Sequence, residues 1–270
     1  MVKERIDKLV VQQGLTDTRE QARRLVMAGQ IYDDNNQRYN KPGEKVEATK
    51  QFHIKGKTMP YVSRGGLKLE KAIKAFNIDM TGHKLLDIGA STGGFTDAAL
   101  QFGAEMSYAL DVGYNQLAYS LRIDPRVEVM ERHNFRYATP SDFTRGTPTI
   151  ASIDVSFISL RLILPPLMDI LCQDGSVLAL IKPQFEAGRD RIGKNGIVKD
   201  PQTHQEVLLE VLQFATAIGY RLVDLTFSPI TGGEGNIEFL AHLVNAKDPN
   251  NQTWQSFDLA AVVNSAHETF

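Results

Sequence analysis

The pattern of apolar and polar positions divides the chain into two regions with different predicted elements. In the first region, apolar residues recur at helical spacing from Ile6 until Gly14, and a second helical run begins near Thr16 to Thr18 and ends at Gly29. Thr18 and Gln21 have the spacing of a capping box, which favours a helix beginning at this point. A strand-like stretch follows these runs, so the region predicts a small α+β domain.

After Pro60 the pattern changes to strand-like runs that alternate with helical ones, which is typical of a parallel α/β sheet. The predicted strands cover 84–88, 106–112, 150–155 and 177–181, and the predicted helices cover 95–101, 160–171 and 204–217. No long helix separates the last two runs, 221–227 and 237–244, so they predict a terminal antiparallel pair. Residues 247–270 show no clear periodicity and are assigned to a C-terminal tail.

Composition supports a folded protein with an uneven charge distribution. Hydrophobic residues make up 42% and charged residues 23% of the 270 positions, which is ordinary for a globular protein. The net charge is −2, yet residues 1–58 carry +4, from 12 basic and 8 acidic residues, and the remainder carries −6. A basic module joined to an acidic one is compatible with an RNA-binding domain attached to an enzyme.

Several function classes are disfavoured. The charged residues of the first nine positions leave no apolar signal segment, and no apolar run approaches the roughly 20 residues that span a bilayer. Cys172 is the only cysteine, and the six histidines form no cluster with metal-ligand spacing. We therefore expect a cytoplasmic protein with no membrane contact and no metal requirement.

A glycine-rich loop follows the first strand of the second region. Small residues allow the backbone to approach a ligand, and amides at a helix start can receive its anionic part. Three residues separate Gly89 from Gly93, unlike the single residue of the dinucleotide motif, which counts against a nicotinamide oxidoreductase. The alternative is a tight turn that needs glycine for its shape. The candidate cofactor residues here are Asp87, Gly89, Ala90, Ser91, Gly93, Gly94 and Phe95.

Asp111 and Val112 end the second strand of this region. An acidic side chain in that position can accept hydrogen bonds from the hydroxyls of an adenosine ribose. Both residues are therefore candidate cofactor contacts, with a simple turn residue as the alternative for Asp111.

Two charged residues, Asp154 and Lys182, end apolar strands, where catalytic groups of open α/β sheets gather. Charged groups at such positions can position a substrate hydroxyl or remove its proton. Lysines near carboxylates are suited to that task, and Lys68 and Glu238 complete the candidate set. Taken singly, a charged residue of this kind more often lies on the protein surface without a catalytic role.

Arginines of the second helical run form a candidate RNA-binding face. Arg19 and Arg23 are four residues apart, Arg24 lies beside them, and guanidinium groups bind phosphates as bidentate donors. A solvated helix face is the alternative.

The first region resembles the small RNA-binding domain first recognised in ribosomal protein S-four. The resemblance rests on the order Arg5-x-Asp7, Gly14-Leu15, Thr18-Arg19, Ala28-Gly29 and Lys41-Pro42-Gly43. It departs from that pattern at 33–36, where Asp-Asp-Asn-Asn stands in place of a small basic turn, so RNA contact is assigned to the arginines instead. The predicted boundaries are 1–58 for this domain, 59–62 for a linker and 63–246 for the catalytic domain.

The second region resembles the FtsJ-like ribose methyltransferases, and the whole chain resembles the TlyA, or hemolysin A, family. This resemblance rests on the glycine loop, on Asp154-Val155-Ser156-Phe157, on Lys182-Pro183-Gln184-Phe185 and on the order Lys68, Asp154, Lys182, Glu238. It implies a Rossmann-like methyltransferase fold, S-adenosylmethionine as cofactor, and 2′-O-methylation of cytidine in ribosomal RNA. It also implies a Lys-Asp-Lys-Glu catalytic tetrad centred on Lys182, with Arg5 and Arg64 added to the RNA-binding arginines.

Two alternatives stay open at this point. A catalytically inactive ribosome-binding or assembly factor could retain the same fold, although retention of all four tetrad residues disfavours it. A pore-forming hemolysin would need membrane-spanning segments that the sequence lacks. Residues 186–200 are rich in glycine and basic residues, and they predict either a mobile loop over the RNA or an ordinary surface loop.

Overall fold

The structure, a computed structural model, describes residues 2–56 and 59–270 of the chain. The chain forms two compact units, Met1–Met59 and Pro60–Phe270, which are described separately below.

The first unit combines two helices with short antiparallel strands. Its described elements are β1 (Lys3–Arg5), α1 (Ile6–Gln12), α2 (Arg19–Met27), β2 (Ile31–Asp33), β3 (Arg38–Tyr39), β4 (Lys45–Glu47) and β5 (Phe52–Ile54). Thr18 and Gln21 form the predicted capping box at the start of α2. A small core that includes Ile6, Val26 and Ile31 packs the helices on the strands, which confirms the predicted α+β domain.

The turn after β2 explains why this chain departs from the S-four pattern there. Asp33 is buried, and its carboxylate accepts hydrogen bonds from the Asn35 and Gln37 amides, from the Tyr39 hydroxyl and from the Lys50 ammonium. These bonds, foremost the one from Lys50, lower the pKa of Asp33 to about 2. The acidic turn is therefore a structural feature of the unit.

The second unit is built around a mostly parallel sheet. Its described elements are α3 (Gly65–Ala75), β6 (Lys84–Ile88), α4 (Gly94–Gln101), β7 (Met106–Leu110), α5 (Tyr119–Arg122), β8 (Val127–Met130), β9 (Ile150–Ile153), α6 (Leu164–Ile170), β10 (Ser176–Ile181), α7 (Pro183–Glu186), α8 (Pro201–Ile218), β11 (Arg221–Phe227), β12 (Phe239–Val244) and α9 (Leu259–Thr269).

Within the described part of this unit, seven strands form the sheet in the order β11-β12-β10-β9-β6-β7-β8. Strands β10, β9, β6, β7 and β8 are parallel, whereas β12 runs antiparallel to both of its neighbours, β10 and β11. Buried residues on both faces of the sheet pack against the helices. The predicted Rossmann-like α/β fold with a terminal antiparallel pair is confirmed.

Three elements differ from the sequence expectation for physical reasons. The run predicted as one helix over 160–171 is a short 3₁₀ turn followed by α6, because Pro165 and Pro166 cannot donate hydrogen bonds in a helix interior. Strand β8 has only four residues, and Val127 alone among them is buried, so its pattern is weak. Helix α3 begins with Gly65 and Gly66, which carry little helix preference.

The segment 247–270, assigned to a tail from its sequence, contains helix α9. The Asp258 carboxylate caps the helix by accepting a hydrogen bond from the Ala261 amide. Val263 and Ala266 are buried in the core of the unit, where α9 packs against α8 and β11. Across the residues that the structure describes, no helix is both long and apolar enough to cross a bilayer.

Candidate active site

The glycine loop joins β6 to α4 at the carboxyl end of the sheet. Its first residue, Gly89, has a φ of +87°, and a Cβ placed there would lie 2.3 Å from the backbone oxygen of Asp154. The Gly89 and Ala90 amides both donate to the Leu110 carbonyl, at 2.9 and 3.0 Å. Only glycine satisfies the close approach at position 89. The loop is therefore anchored between β7 and the residue that follows β9.

The start of α4 likewise leaves no space for a side chain. A Cβ on Gly94 would lie 2.8 Å from the Gly66 amide nitrogen, so helices α3 and α4 approach each other through two glycines. Gly93 adopts a left-handed conformation directly before α4. The small residues of this segment thus bring α3, and with it Lys68, next to the glycine loop.

Asp87 lies beneath the loop rather than on its surface. It is fully buried, and its two carboxylate oxygens accept hydrogen bonds from the Thr96 amide, the Thr96 hydroxyl and the Ser152 hydroxyl. Burial raises the pKa of Asp87 to about 7. Asp87 does not line the cavity described below. Its contacts support the glycine loop from inside the sheet, and its assignment as a cofactor contact stays a prediction.

Asp111 holds the other edge of the loop. Its carboxylate accepts the Ser91 amide at 2.8 Å and the Gly113 amide at 2.7 Å. The neighbouring Val112 side chain is exposed. The sequence-predicted acid at the end of β7 therefore has a structural contact with the glycine loop itself.

The four predicted catalytic residues meet in one chain of alternating charges. Lys182 Nζ lies 2.5 Å from Asp154 Oδ1, and Lys68 Nζ lies 3.7 Å from Asp154 Oδ2 and 2.7 Å from Glu238 Oε2. Lys68, Lys182 and Glu238 are buried, and Asp154 is partly buried. A buried charge is costly unless it is paired, so the four groups stabilise one another.

Strand register explains how residues so distant in sequence come together. Ile181 of β10 pairs with Phe239 of β12 in antiparallel register, so Lys182 and Glu238 follow and precede those strands at the same edge of the sheet. Asp154 follows β9 at that edge, next to Gly89. Helix α3 adds Lys68 from outside the sheet.

A cavity of about 620 Å³ contains both the glycine loop and the charge chain. Its size falls in the usual range for ligand sites, about 300–1,000 Å³. The predicted residues that line it are Arg64, Lys68, Gly89, Ala90, Ser91, Gly94, Phe95, Asp154, Lys182 and Glu238. Asp87, Gly93, Asp111 and Val112 lie outside this lining. The structure therefore unites the predicted catalytic residues with most of the predicted loop.

Sequence reasoning did not assign several further residues that line this cavity. Phe157 is 91% exposed, adopts a left-handed backbone conformation with a φ of +63°, and packs on Phe185 with ring centroids 4.9 Å apart. A bulky residue in that conformation is strained, and such strain concentrates at functional sites. The position within Asp154-Val155-Ser156-Phe157 was a usable signal, but the exposure was not visible in the sequence. The other unassigned polar residues of the lining are Ser63, Ser156, Gln184, Asn195, Thr231, Glu234 and Asn236.

Two of the four predicted RNA-binding arginines of the first unit, Arg5 and Arg19, are paired with one buried carboxylate. Asp7 is fully buried and accepts hydrogen bonds from Arg5 at 2.9 and 3.0 Å and from Arg19 at 3.0 Å. The bonds from Arg5 hold the pKa of Asp7 below its usual range. Arg23 and Arg24 are exposed on α2, and Arg24 pairs with Glu20. Arg64 is exposed in the second unit, at the cavity.

Comparisons with known proteins agree with these two units. Residues 61–245 match the model of the FtsJ-like methyltransferases, and residues 4–51 match that of the S4 domain. A relative from Bacillus subtilis (strain 168), YqxC, named provisionally as an rRNA methyltransferase, is 56% identical over 268 residues, which are 99% of this chain and 95% of the relative.

Two further relatives support the same assignment. The 16S/23S rRNA (cytidine-2′-O)-methyltransferase TlyA of Mycobacterium tuberculosis (strain ATCC 25618 / H37Rv) is 39% identical over 244 residues, covering 90% of this chain and 91% of the relative. A solved structure from Streptococcus thermophilus, described provisionally as a hemolysin, has a TM-score of 0.79 and 55% identity, covering 100% of this chain and 98% of that one. The chain thus belongs to the FtsJ-like methyltransferases, in the TlyA (hemolysin A) family whose catalytic domain follows an S4 domain.

Proposed function

We propose that this protein transfers a methyl group from S-adenosylmethionine to a ribose 2′-hydroxyl of ribosomal RNA, with cytidine as the modified nucleotide. The observation that carries the proposal is the alternating chain of Lys182, Asp154, Lys68 and Glu238 in the same cavity as the glycine loop. The names of the relatives supply the substrate class, ribosomal RNA and cytidine.

The residues around the glycine loop fit S-adenosylmethionine. Gly89 and Gly94 leave no room for side chains, and both line the cavity with backbone atoms, as a ligand that lies against the loop requires. Ser91 lines the cavity, and Asp111 fixes its amide. Each Asp111 oxygen has a further lone pair available to a ribose hydroxyl. When bound, S-adenosylmethionine supplies an activated methyl group.

Lys182 is the group that we assign to the acceptor hydroxyl. As the 2′-oxygen binds the methyl carbon, the bond from that carbon to the sulfonium sulfur would break with its electron pair left on sulfur, and the hydroxyl proton would be released. The Lys182 amine takes that proton when it is neutral. Asp154 then stabilises the resulting ammonium at a distance already set at 2.5 Å. Ser156 also accepts a hydrogen bond from Lys182 at 3.2 Å, which helps to fix the direction of the amine.

The other two tetrad residues set the charge around Lys182. Lys68 bridges Asp154 and Glu238, so neither carboxylate is left unpaired in the cavity. Gln184 donates to Glu238 at 3.3 Å and limits its movement. Without the contacts that Lys68 makes with Asp154 and Glu238, the Asp154 carboxylate would be free to turn away from Lys182.

Phe157 and Phe185 are placed to hold the base of the target nucleotide. They form an aromatic pair at the cavity, and Phe157 is almost entirely exposed. Base stacking on an aromatic side chain contributes about 1–3 kcal/mol and requires an unstacked nucleotide. We assign Arg64 to a phosphate beside that nucleotide, and Arg5, Arg19, Arg23 and Arg24 of the first unit to phosphates elsewhere in the RNA.

A direct test replaces Lys182 by alanine and measures transfer of a labelled methyl group to ribosomal RNA. We expect the rate to fall about 10²–10⁴-fold, the usual cost of removing a positioned acid or base. Calorimetry should show nearly unchanged affinity for S-adenosylmethionine, because Lys182 lies apart from the glycine loop. Lys182→Arg should be almost as inactive, since a guanidinium does not give up its proton.

Lys71→Ala is the matched control, because Lys71 is a partly buried lysine of α3 that packs over the Phe227 ring and does not line the cavity. It should retain normal transfer. Near-normal transfer by Lys182→Ala would refute the assignment of Lys182. Absence of transfer by the unmodified protein, with cofactor binding intact, would favour an inactive ribosome-binding factor instead.

A further inference from the structure

Asn236 forms a bridge between two segments that line the cavity. It is buried, 4% exposed, and lies two residues before the catalytic Glu238. Its Oδ1 accepts the Val198 amide at 3.0 Å, and its Nδ2 donates to the Gly196 and Gly233 carbonyls, both at 3.1 Å. One side-chain amide therefore joins the segment 193–198 to the segment 232–238.

The segment 193–198 has additional anchors on its outer side. The Val198 carbonyl accepts a hydrogen bond from His204 Nε2 at 3.1 Å, so Nε2 carries the proton and Nδ1 of the same ring is an acceptor. That Nδ1 lies 3.0 Å from Nε2 of His267 on α9, which is accordingly the donor. Arg191, which lies just before this segment, pairs with Glu206 and Glu210 of α8. Asn236 is thus the inner contact of a loop that is anchored at several points.

The position of this bridge points to the acceptor side of the cavity. In the sheet order, β6 with the glycine loop is separated from β12 by β9 and β10. Asn195, Gly196 and the residues from Ile230 to Glu234 line the cavity beyond the charge chain, where β12 begins. The cofactor loop and the Asn236 bridge therefore lie at different ends of the same site.

We propose that Asn236 is a positioning residue that holds the loop 193–198 against the segment carrying Glu238 and so shapes the part of the cavity that receives the acceptor nucleotide. This inference rests on the proposed function. Its consequence is specific: loss of the bridge impairs use of RNA, while binding of S-adenosylmethionine stays intact. A residue that only stabilised the fold would not separate these two properties.

Asn245, at the other end of β12, offers a matched control. It is fully buried and donates through Nδ2 to the Met168, Leu171 and Cys172 carbonyls. It does not line the cavity. Each of the two substitutions therefore removes a buried side-chain amide with three hydrogen bonds. Asn236→Ala does so at the cavity, and Asn245→Ala does so away from it.

The experiment compares the full-length variants in steady-state methyl transfer at saturating S-adenosylmethionine. We expect Asn236→Ala to lower kcat/KM for ribosomal RNA at least tenfold and to change cofactor affinity less than about twofold. Asn236→Asp should show a similar loss, because it keeps the acceptor for Val198 but sets a carboxylate against two carbonyl oxygens. Asn245→Ala should lower the melting temperature, with kcat/KM for the folded enzyme within about twofold of normal.

Hydrogen exchange of the backbone amides gives a readout without catalysis. The Val198 amide should lose protection in Asn236→Ala and keep it in Asn245→Ala. Normal kcat/KM in both Asn236 variants, or equal losses in Asn236→Ala and Asn245→Ala, would overturn the proposal. If the unmodified protein transfers no methyl group to RNA, the proposed function fails separately, and unchanged protection of Val198 in Asn236→Ala would then overturn the bridge as well.

Discussion

Each unit of the molecule contains a carboxylate held between two cations, and the two arrangements differ in exposure and in the type of cation. In the first unit, Asp7 is paired with Arg5 and Arg19, whose side chains are 37% and 50% exposed. In the second, Asp154 is paired with Lys68 and Lys182, whose side chains are 10% and 9% exposed. Similar pairing therefore presents positive charge to solvent in one unit and keeps it inside a cavity in the other.

The difference follows from the chemistry of the two cations. A guanidinium keeps its charge and has five N–H donors, so Arg5 and Arg19 retain donors for phosphate while they are paired with Asp7. A lysine ammonium is a compact charge whose protonation responds to its surroundings, which suits proton handling in a confined site. Exposure and cation type together, rather than pairing alone, distinguish the arginines that we assign to RNA from the lysines that we assign to catalysis.

The largest expected effect comes from neutralising the central carboxylate of the catalytic unit. Asp154→Asn should lower the rate of methyl transfer about 100-fold or more, because Lys182 loses the partner that stabilises its ammonium form. Asp7→Asn is the equivalent change in the first unit and should leave the rate at saturating RNA within about twofold. Rate measurements on both variants test the contrast directly. Equal losses of rate in both would abolish the distinction between the two arrangements.

A smaller effect is expected for the exposed arginines of α2. The double variant Arg23→Ala/Arg24→Ala should weaken RNA binding and reduce the slope of log affinity against log salt by about 0.7–0.9 for each phosphate that these arginines neutralise. Titration of RNA at several salt concentrations measures the slope. Arg126→Ala is the control, because Arg126 is a half-exposed arginine of the second unit that is paired with Asp124. An identical slope in both variants would show that α2 is a solvated face.

The smallest effect concerns stability and pH, where two buried carboxylates behave oppositely. The pKa of Asp33 is lowered to about 2, so its contribution to the first unit is present above about pH 4 and is lost as pH falls through 2. Burial raises the pKa of Asp87 to about 7, so its contribution to the second unit is present below about pH 4 and is lost as pH rises through 7.

Calorimetric melting of Asp33→Asn, Asp87→Asn and the unmodified protein tests the direction in which each carboxyl changes stability with pH. The advantage of the unmodified protein over Asp33→Asn should shrink between pH 4 and pH 2. The melting temperature of Asp87→Asn should rise relative to the unmodified protein between pH 5 and pH 8, by a few degrees, since about 1 kcal/mol moves such a domain by about 2–4 °C. If the melting temperatures of Asp87→Asn and of the unmodified protein change with pH in the same way, the Asp87 carboxyl does not ionise near neutrality and this prediction is wrong.

Features that depend on short-range pattern could be predicted from the sequence. The capping box of Thr18 and Gln21 and the strands β6, β7, β9 and β10 follow from spacing over a few residues, and the structure contains them. The glycine loop was equally visible, because a backbone that must approach another chain segment closely, as at Gly89, tolerates only glycine. The resemblance to known methyltransferases added the order of the four tetrad residues.

How these features meet depends on the tertiary structure. The hydrogen bond between Lys68 and Glu238 joins residues 170 positions apart, and it requires the antiparallel register of β10 and β12 and the packing of α3 against α4. The exposure of Phe157 and the contacts of Asn236 likewise depend on loops from distant parts of the chain. Local spacing cannot encode such contacts, because strand order and register are fixed by the burial of the whole sheet.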